Sequence, residues 1–535
     1  MSNVVSGKNG AGKKAVPEAE IFTGIISKIT GVYVLLMLTL FPVFTTDKYY
    51  NILKDRYYFF FYLTAALAAV SLLVFCVGLA GGAFRRKEDG SSPLKKYLKL
   101  SRTDICFLAF MAVCTVSTLA SEWVFRAFWG NMGRLQGLFF YLLVMVSWFF
   151  VTRFLVFRPY YLYAFLAVGV FVLIWGFSDY FGMDIFCWRE DADDYWGMLT
   201  YTSSIGNINT FTAVASLYFG ISAVLCLEKR LPWFTYPVFF LSALGLITGS
   251  SDNALLAVAG TFALLPFFVF EDGRRIGTYV ILAGLFITAL VFTGWLTSVY
   301  KETPILYEGN WGILTTIGNR YWKELLLPAA GLLASGAVLR SVLRKKENLP
   351  SKTLKILWGI LCILGIAAVA AVFIDANTKA ILPIPEEYRA YLVFNDRWGT
   401  NRGYAWRASF RFFRDFSLFK KLFGAGPETY AVFMTENYYH QMMEFMGVIF
   451  DSPHSEPIQY LFTTGILGFV SFYSTIVTGF LKGLKTGGYA AACAFGVAAY
   501  ICASLINISV PISTPLMFLC LEMAVLIPNE NEKKV

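Results

Sequence analysis

The sequence predicts an all-α polytopic membrane protein of about fourteen transmembrane helices (roughly twelve to fourteen), with one large helical loop on the outer face. Three observations carry that prediction. Only 15% of the 535 residues are charged and 57% are hydrophobic, with a mean hydropathy of +0.59, where a soluble protein carries roughly a quarter charged residues. Apolar runs of about 20 residues recur along the chain, and a helix of that length crosses the ~30 Å hydrocarbon core with its backbone bonded internally. The basic residues collect in alternate loops.

The runs, in order, are 21–44, 57–80, 104–120, 137–157, 160–178, 205–227, 233–249, 254–270, 276–298, 323–343, 355–374, 457–480, 487–506 and 510–527. They divide the chain into a cytoplasmic tail (1–20), helices one to eleven (21–374), a large outer loop (375–456), helices twelve to fourteen (457–527) and a second cytoplasmic tail (528–535). The first run is too long for the apolar part of a cleaved signal and lacks a small-residue cleavage site, so it reads as a retained span. The net charge of +10 is a topology signal and not a nucleic-acid footprint. Starting from Lys8, Lys13 and Lys14 inside, every even loop is basic: Arg85 to Lys87 with Lys95, Lys96, Lys99 and Arg102, then Arg153 and Arg158, Lys229-Arg230, Arg274-Arg275, Arg340 to Lys355, Lys482 and Lys485. The odd loop 179–204 is acidic, with Asp179, Asp184, Glu190, Asp191, Asp193 and Asp194. Both termini are therefore expected in the cytoplasm. Nine cysteines without a CxxC, eight of them inside apolar runs, predict neither a disulfide nor a metal site.

The loop 375–456 departs from a generic bundle, because a connection of this length tends to carry function. Both histidines of the chain, His440 and His454, lie in it. Segment 397–421 sets Arg397, Arg402, Arg407, Arg411, Arg414, Lys420 and Lys421 against a single acid, Asp415. Arg407, Arg411 and Arg414 follow i, i+4, i+7, and Trp406, Phe410 and Phe413 repeat that spacing one residue earlier, with Asn401 as a candidate cap. This predicts an amphipathic helix at the membrane surface. Its guanidinium groups either touch lipid headgroups or form an anion site, since the arginine fork matches phosphate oxygens bidentately. Beyond it, His454 stands just ahead of a span, and an imidazole there suits proton abstraction from a hydroxyl, with Asp451 or Glu456 to orient its tautomer.

His454-Ser455, nine residues from Glu456 to Thr464, then Gly465-x-x-Gly468 resembles the pattern of the O-antigen ligase and O-antigen polymerase family of bacterial envelope glycan transferases. Arg402-Gly-Tyr-Ala-Trp406 followed by Gly424-Ala-Gly426 is similar to a second family feature, Ile205-Gly-Asn207-Ile-Asn209 to a third, and Gly133-Arg134-Leu-Gln-Gly137 to a motif of some members. Each is weak alone because glycine is common in membrane helices; together and in order, over about 100–470, they are specific. The resemblance implies a GT-C-like fold and an inverting, metal-independent glycosyl transfer without cofactor at the outer face of the bacterial plasma membrane. The donor would be a glycan on undecaprenyl diphosphate, and the acceptor a hydroxyl on a glycan, lipid or protein. It makes His454 the general base, and gives the donor diphosphate to Arg402, with Arg407, Arg411 and Arg134 beside it. Trp406, Ser455, Gly465, Gly468, Asn207, Asn209 and Asp451 are supporting residues. One departure stands out: where members carry Gly-Ser-Arg, this chain has Gly249-Ser250-Ser251-Asp252, so Arg134, Arg320 or Arg407 takes over that contact or the donor is held differently. A polymerase of the same family is the sibling reading. From another class, a transporter or flippase of lipid-linked glycan fits the span count. Against it, the span interiors are nearly free of charge, with Lys28 near an end and only Glu522 deep, and no repeat of the two halves is clear.

Overall fold

The computed structural model describes residues 18–85, 92–131, 133–189, 200–228, 233–300, 312–344, 349–378, 381–384, 389 and 391–527. Both outermost tails, Glu190 to Asp194 and Lys229-Arg230 of the loop-charge reading therefore lie outside the described residues, as do Arg86, Lys87, Lys345 and Lys346. The architecture is all-α apart from one two-residue β-pair. Helices α1 (Glu18–Thr39), α2 (Ile52–Ala80), α3 (Arg102–Leu119), the short α4 (Val124–Trp129), α5 (Leu138–Phe154) and α6 (Tyr160–Tyr180) come first. Then follow α7 (Ile208–Leu227), α8 (Thr235–Thr248), α9 (Asn253–Leu264), α10 (Pro266–Val269), α11 (Gly273–Val299), α12 (Ile313–Leu343) and α13 (Ser351–Asn377). The large loop carries, among its described residues, α14 (Trp398–Asp415), α15 (Leu418–Phe423) and α16 (Tyr430–Met446). The chain closes with α17 (Glu456–Thr486), α18 (Gly488–Ser504) and α19 (Thr514–Leu526).

Each apolar run predicted from the sequence coincides with an apolar helix. Among the described residues, nine of these are long and apolar enough to cross a membrane; five others, among them α5, α8, α18 and α19, are shorter, at 10–17 residues. The chain is a polytopic membrane protein.

Burial separates the centre from the rim. The window of α7 that reads as a span is wholly buried, whereas α13 buries none of its residues. Lipid is as apolar as leucine, so membrane helices associate through close packing of small residues. That is the α7–α18 contact: a Cβ on Gly220 would overlap the Phe495 carbonyl, and one on Gly496 would crowd Ile221. Charge is rare inside. Glu522 is fully buried and accepts from Ser147 Oγ at 3.0 Å. Arg56, which the sequence places just ahead of its span, is also fully buried and donates to the carbonyls of Ser204 (2.6 Å) and Pro42 (3.0 Å).

The large loop has a hydrophobic core of its own, in which Ala405, Tyr430, Met434, Met442, Phe450 and Phe462 are buried. Helix α14 accordingly buries Gly403, Ala405, Ala408 and Ser409 against protein, while Phe410 stays exposed. The surface-helix expectation missed this inner face because alanine and glycine leave little trace in a hydrophobic periodicity. Asn401 does not start the helix as an ordinary cap: Gly399, Thr400 and Asn401 all have positive φ, so regular right-handed helix begins at Arg402.

Candidate functional site

His454 lies between α16 and α17, in the segment Asp451–Ser455, with a positive φ of 50°. A non-glycine residue held there costs about 1–3 kcal/mol and persists only where its surroundings fix it. Two contacts do so. The indole N–H of Trp406 donates to the Pro453 carbonyl at 2.8 Å, and the His454 backbone N–H donates to Ser452 Oγ at 3.3 Å. Ser455 follows, buried, as the residue that opens α17, and Pro457 in the first helical turn gives up no needed donor.

Arg134 reaches the same segment from the loop before α5. That loop is tight: Gly130 and Leu135 have positive φ, and a Cβ on Gly137 would overlap the Phe128 carbonyl. The Arg134 guanidinium is buried, forms an ion pair with Asp451 and donates to Ser452 Oγ at 3.0 Å. Glu428, also buried, faces the same pair; burial pushes its carboxyl up to about 7, Asp451 adds to the rise and Arg134 opposes it. Asp451 is thus committed to Arg134. Glu456 is taken by Tyr500, whose hydroxyl donates to it at 3.4 Å. Neither carboxylate orients the imidazole, and the ring makes no hydrogen bond among the described residues.

Arg402 completes the group from the first turn of regular helix in α14. Burial pushes its guanidinium below the ordinary arginine value while Asp252 pulls it up. Asp252, the residue after Ser251 in the Gly249–Asp252 turn, is therefore close enough to act on Arg402, and its Oδ1 also accepts from the Ile313 N–H at 3.0 Å. Burial depresses the His454 imidazole to about 4, Arg134 and Arg402 add to the depression, and Asp451 opposes it. The imidazole is thus neutral over the ordinary pH range and able to accept a proton.

The two glycine motifs meet in one joint. Gly465 has positive φ and interrupts α17. The carbonyls of Phe462 and Thr463 accept instead from the backbone N–H groups of Ala425 (3.1 Å) and Gly426 (2.9 Å), and Ser117 Oγ donates to Thr463 at 2.7 Å. A Cβ on Gly424 would overlap Thr463, and one on Gly465 would overlap Leu422. Gly468 packs on Thr464 in the turn that follows. The joint fixes the large loop to the helix that follows His454.

Other expected site residues stand apart. Arg407 is exposed, pairs with Asp396, and with Arg411 lines a cleft of about 360 Å³ between α14 and α16, facing Tyr404, Tyr438 and Gln441. Arg320 lies in α12 over the Tyr321 ring at 5.4 Å. Asn207 opens α7, its Oδ1 accepting from the Asn209 N–H at 2.9 Å, just after the antiparallel pair Tyr201–Thr202 and Gly206–Asn207. Asn209 joins a polar knot: Ser251 Oγ donates to its Oδ1, and its carbonyl accepts from Asn253 (3.0 Å) and Asn507 (2.8 Å). This knot lies beside the Asp252 turn. Sequence reasoning missed Ser452, Glu428 and the role of Asp252. Glu428 had one signal, being the only acid between Asp415 and Glu436. Among the described residues, no group of three or more His, Cys, Asp and Glu side chains is placed to hold a metal.

No curated protein matches the chain. Residues 327–473 match the family model for O-antigen ligase, a stretch that includes Arg402, Trp406, Gly424 to Gly426, Asp451, His454 and Gly468 but not Arg134, Asn207 or Asn209. This part of the chain, which holds the large loop and the start of α17, is thus similar to an O-antigen ligase domain.

Proposed function

We propose that the protein transfers a glycan from undecaprenyl diphosphate to an acceptor hydroxyl on the outer face of the bacterial plasma membrane, with inversion and without a metal. The observation that carries this reading is that His454 is held at positive φ just ahead of a membrane helix by the contact of Pro453 with Trp406, which lies one turn after Arg402 on α14. Both termini are cytoplasmic in this reading, and the large loop is outside. His454 takes the proton from the acceptor hydroxyl as its oxygen bonds to the anomeric carbon. The bond from that carbon to the diphosphate oxygen breaks, the electron pair leaves with the diphosphate, and Arg402 stabilises the charge that develops there. Arg134 contributes through its hold on Asp451 and Ser452 and so positions His454, rather than gripping the donor directly.

A base depressed to about 4 is weak, and catalysis favours one nearer the working pH. The donor corrects this itself. Its diphosphate brings negative charge to Arg402, offsets the cations that depress His454 and raises the imidazole toward neutrality when substrate is bound. The base is therefore strengthened by the donor that the reaction consumes.

The test uses purified protein in detergent with a labelled lipid-linked donor and a chosen acceptor. Transfer there, where no membrane separates two compartments, excludes a pure transporter, and its loss in His454→Ala with unchanged membrane insertion supports the assignment. Wild-type transfer by His454→Ala would sink it. Whether the productive acceptor is a second donor glycan or a different molecule separates polymerase from ligase.

A further inference from the structure

A large cavity lies at the end of the bundle opposite His454, and nothing in the transfer reaction uses it. Helix α5 measures the separation: its first residue adjoins the Arg134 loop, its last turn lines the cavity, and 17 residues at 1.5 Å each span about 25 Å. The cavity has a volume of about 1210 Å³. Lys28, Lys96, Lys99, Arg153, Arg158 and Lys482 line it from four separate parts of the chain. Two acids face them. Asp104 is already engaged, with Arg153 at 2.8 Å, Trp148 Nε1 at 2.8 Å and the helix-capping contact to Ser101, and Glu20 is the other acid of the lining. Part of the wall is apolar, formed by Val32, Leu35 and Leu526, and Val32 lies on the exposed side of α1. A second hollow of about 720 Å³ shares Lys96, Lys99 and Glu20 with it and adds Lys95, so the basic surface continues under the segment 92–99.

We propose that this cavity is a binding site for the phosphate headgroup of an anionic phospholipid, with the acyl chains along the apolar wall. Cations converging from several helices match phosphate oxygens, and basic hollows between membrane helices suit anionic headgroups. The apolar continuation favours a lipid over a soluble phosphate compound, which would leave that wall wet. The site is independent of the transfer chemistry; in the topology proposed above it opens to the cytoplasmic leaflet.

The experiment is native mass spectrometry of the full-length protein released from mixed phosphatidylglycerol and phosphatidylcholine membranes. The wild type retains phosphatidylglycerol in preference to phosphatidylcholine, and Lys96→Gln/Lys99→Gln/Arg158→Gln lowers that preference by about tenfold or more. Equal retention of the two lipids by the wild type overturns the proposal, as does an unchanged preference in the triple variant. Displacement of the bound lipid by millimolar inorganic phosphate assigns the site to a soluble phosphate and overturns the lipid source. Where the triple variant fails to fold, Lys96→Gln alone and the wild-type melting temperature decide: phosphatidylglycerol stabilises the wild type more than phosphatidylcholine does, and the single variant loses part of that difference. Identical melting in the two lipids counts against the site.

Discussion

Helix α14 presents arginines on two faces, and they meet different surroundings. Arg402 is half-buried, set between Asp252 and the His454 segment, while Trp406 one turn on anchors Pro453. Arg407 and Arg411 lie on the other face, exposed, over a cleft lined by tyrosine and glutamine, with Arg407 held by Asp396. A guanidinium near a buried imidazole in a partly dehydrated site acts strongly on developing charge, whereas one in water is screened. The residue type is the same, and the setting decides which arginine does chemistry.

The sharpest test of that contrast removes the imidazole. His454→Ala should lower transfer by about 10²–10⁴-fold, the range of general acid–base catalysis, in an assay with labelled lipid-linked donor. Arg402→Gln should cost about 10²–10³-fold in kcat, as the loss of one donor to a developing anion does; Arg402→Lys should recover only part, because the fork is lost. Arg407→Gln and Arg411→Gln, singly, should change kcat by less than about threefold, as exposed charges do. A larger loss from either would break the division between the two faces.

The pH profile refines the same comparison with a smaller effect. His454 must be unprotonated to act, so the rate falls as pH drops through its pKa. For kcat/KM, which reports the free enzyme, the acid limb should lie near 4, well below ordinary histidine. For kcat, which reports the donor-bound enzyme, it should lie higher. Arg134→Gln removes a cation and should move the free-enzyme limb up; Asp451→Asn removes an anion and should move it down. Coincident limbs for kcat and kcat/KM would remove donor-assisted strengthening of the base.

The positions of the apolar helices were legible because composition and length are the whole requirement for burial in lipid. The motif glycines were legible as a pattern, but their purpose was not: that Gly424 and Gly465 form one joint depends on two backbones approaching across 41 residues of sequence. Periodicity found the arginine stripe of α14 and read its outer face correctly as cationic. It could not separate Arg402 from Arg407, since the inner contact is made by Gly403, Ala405 and Ala408, which carry almost no hydrophobic signal. Arg134 showed the same limit. A sequence displays a guanidinium but not the carboxylate that already holds it, and here Asp451 lies 317 positions away.

The joint at Gly465 has a consequence for how this enzyme can be altered. It is built from main-chain groups on both sides, apart from the Ser117 and Ser121 hydroxyls, so its strength does not depend on which side chains α16 displays a few residues further on. The exposed surface of that helix can therefore be substituted while the hinge between loop and membrane keeps its register. A single methyl group added at Gly424 or Gly465 would do the reverse, leaving every other side chain intact and His454 out of alignment with Arg402.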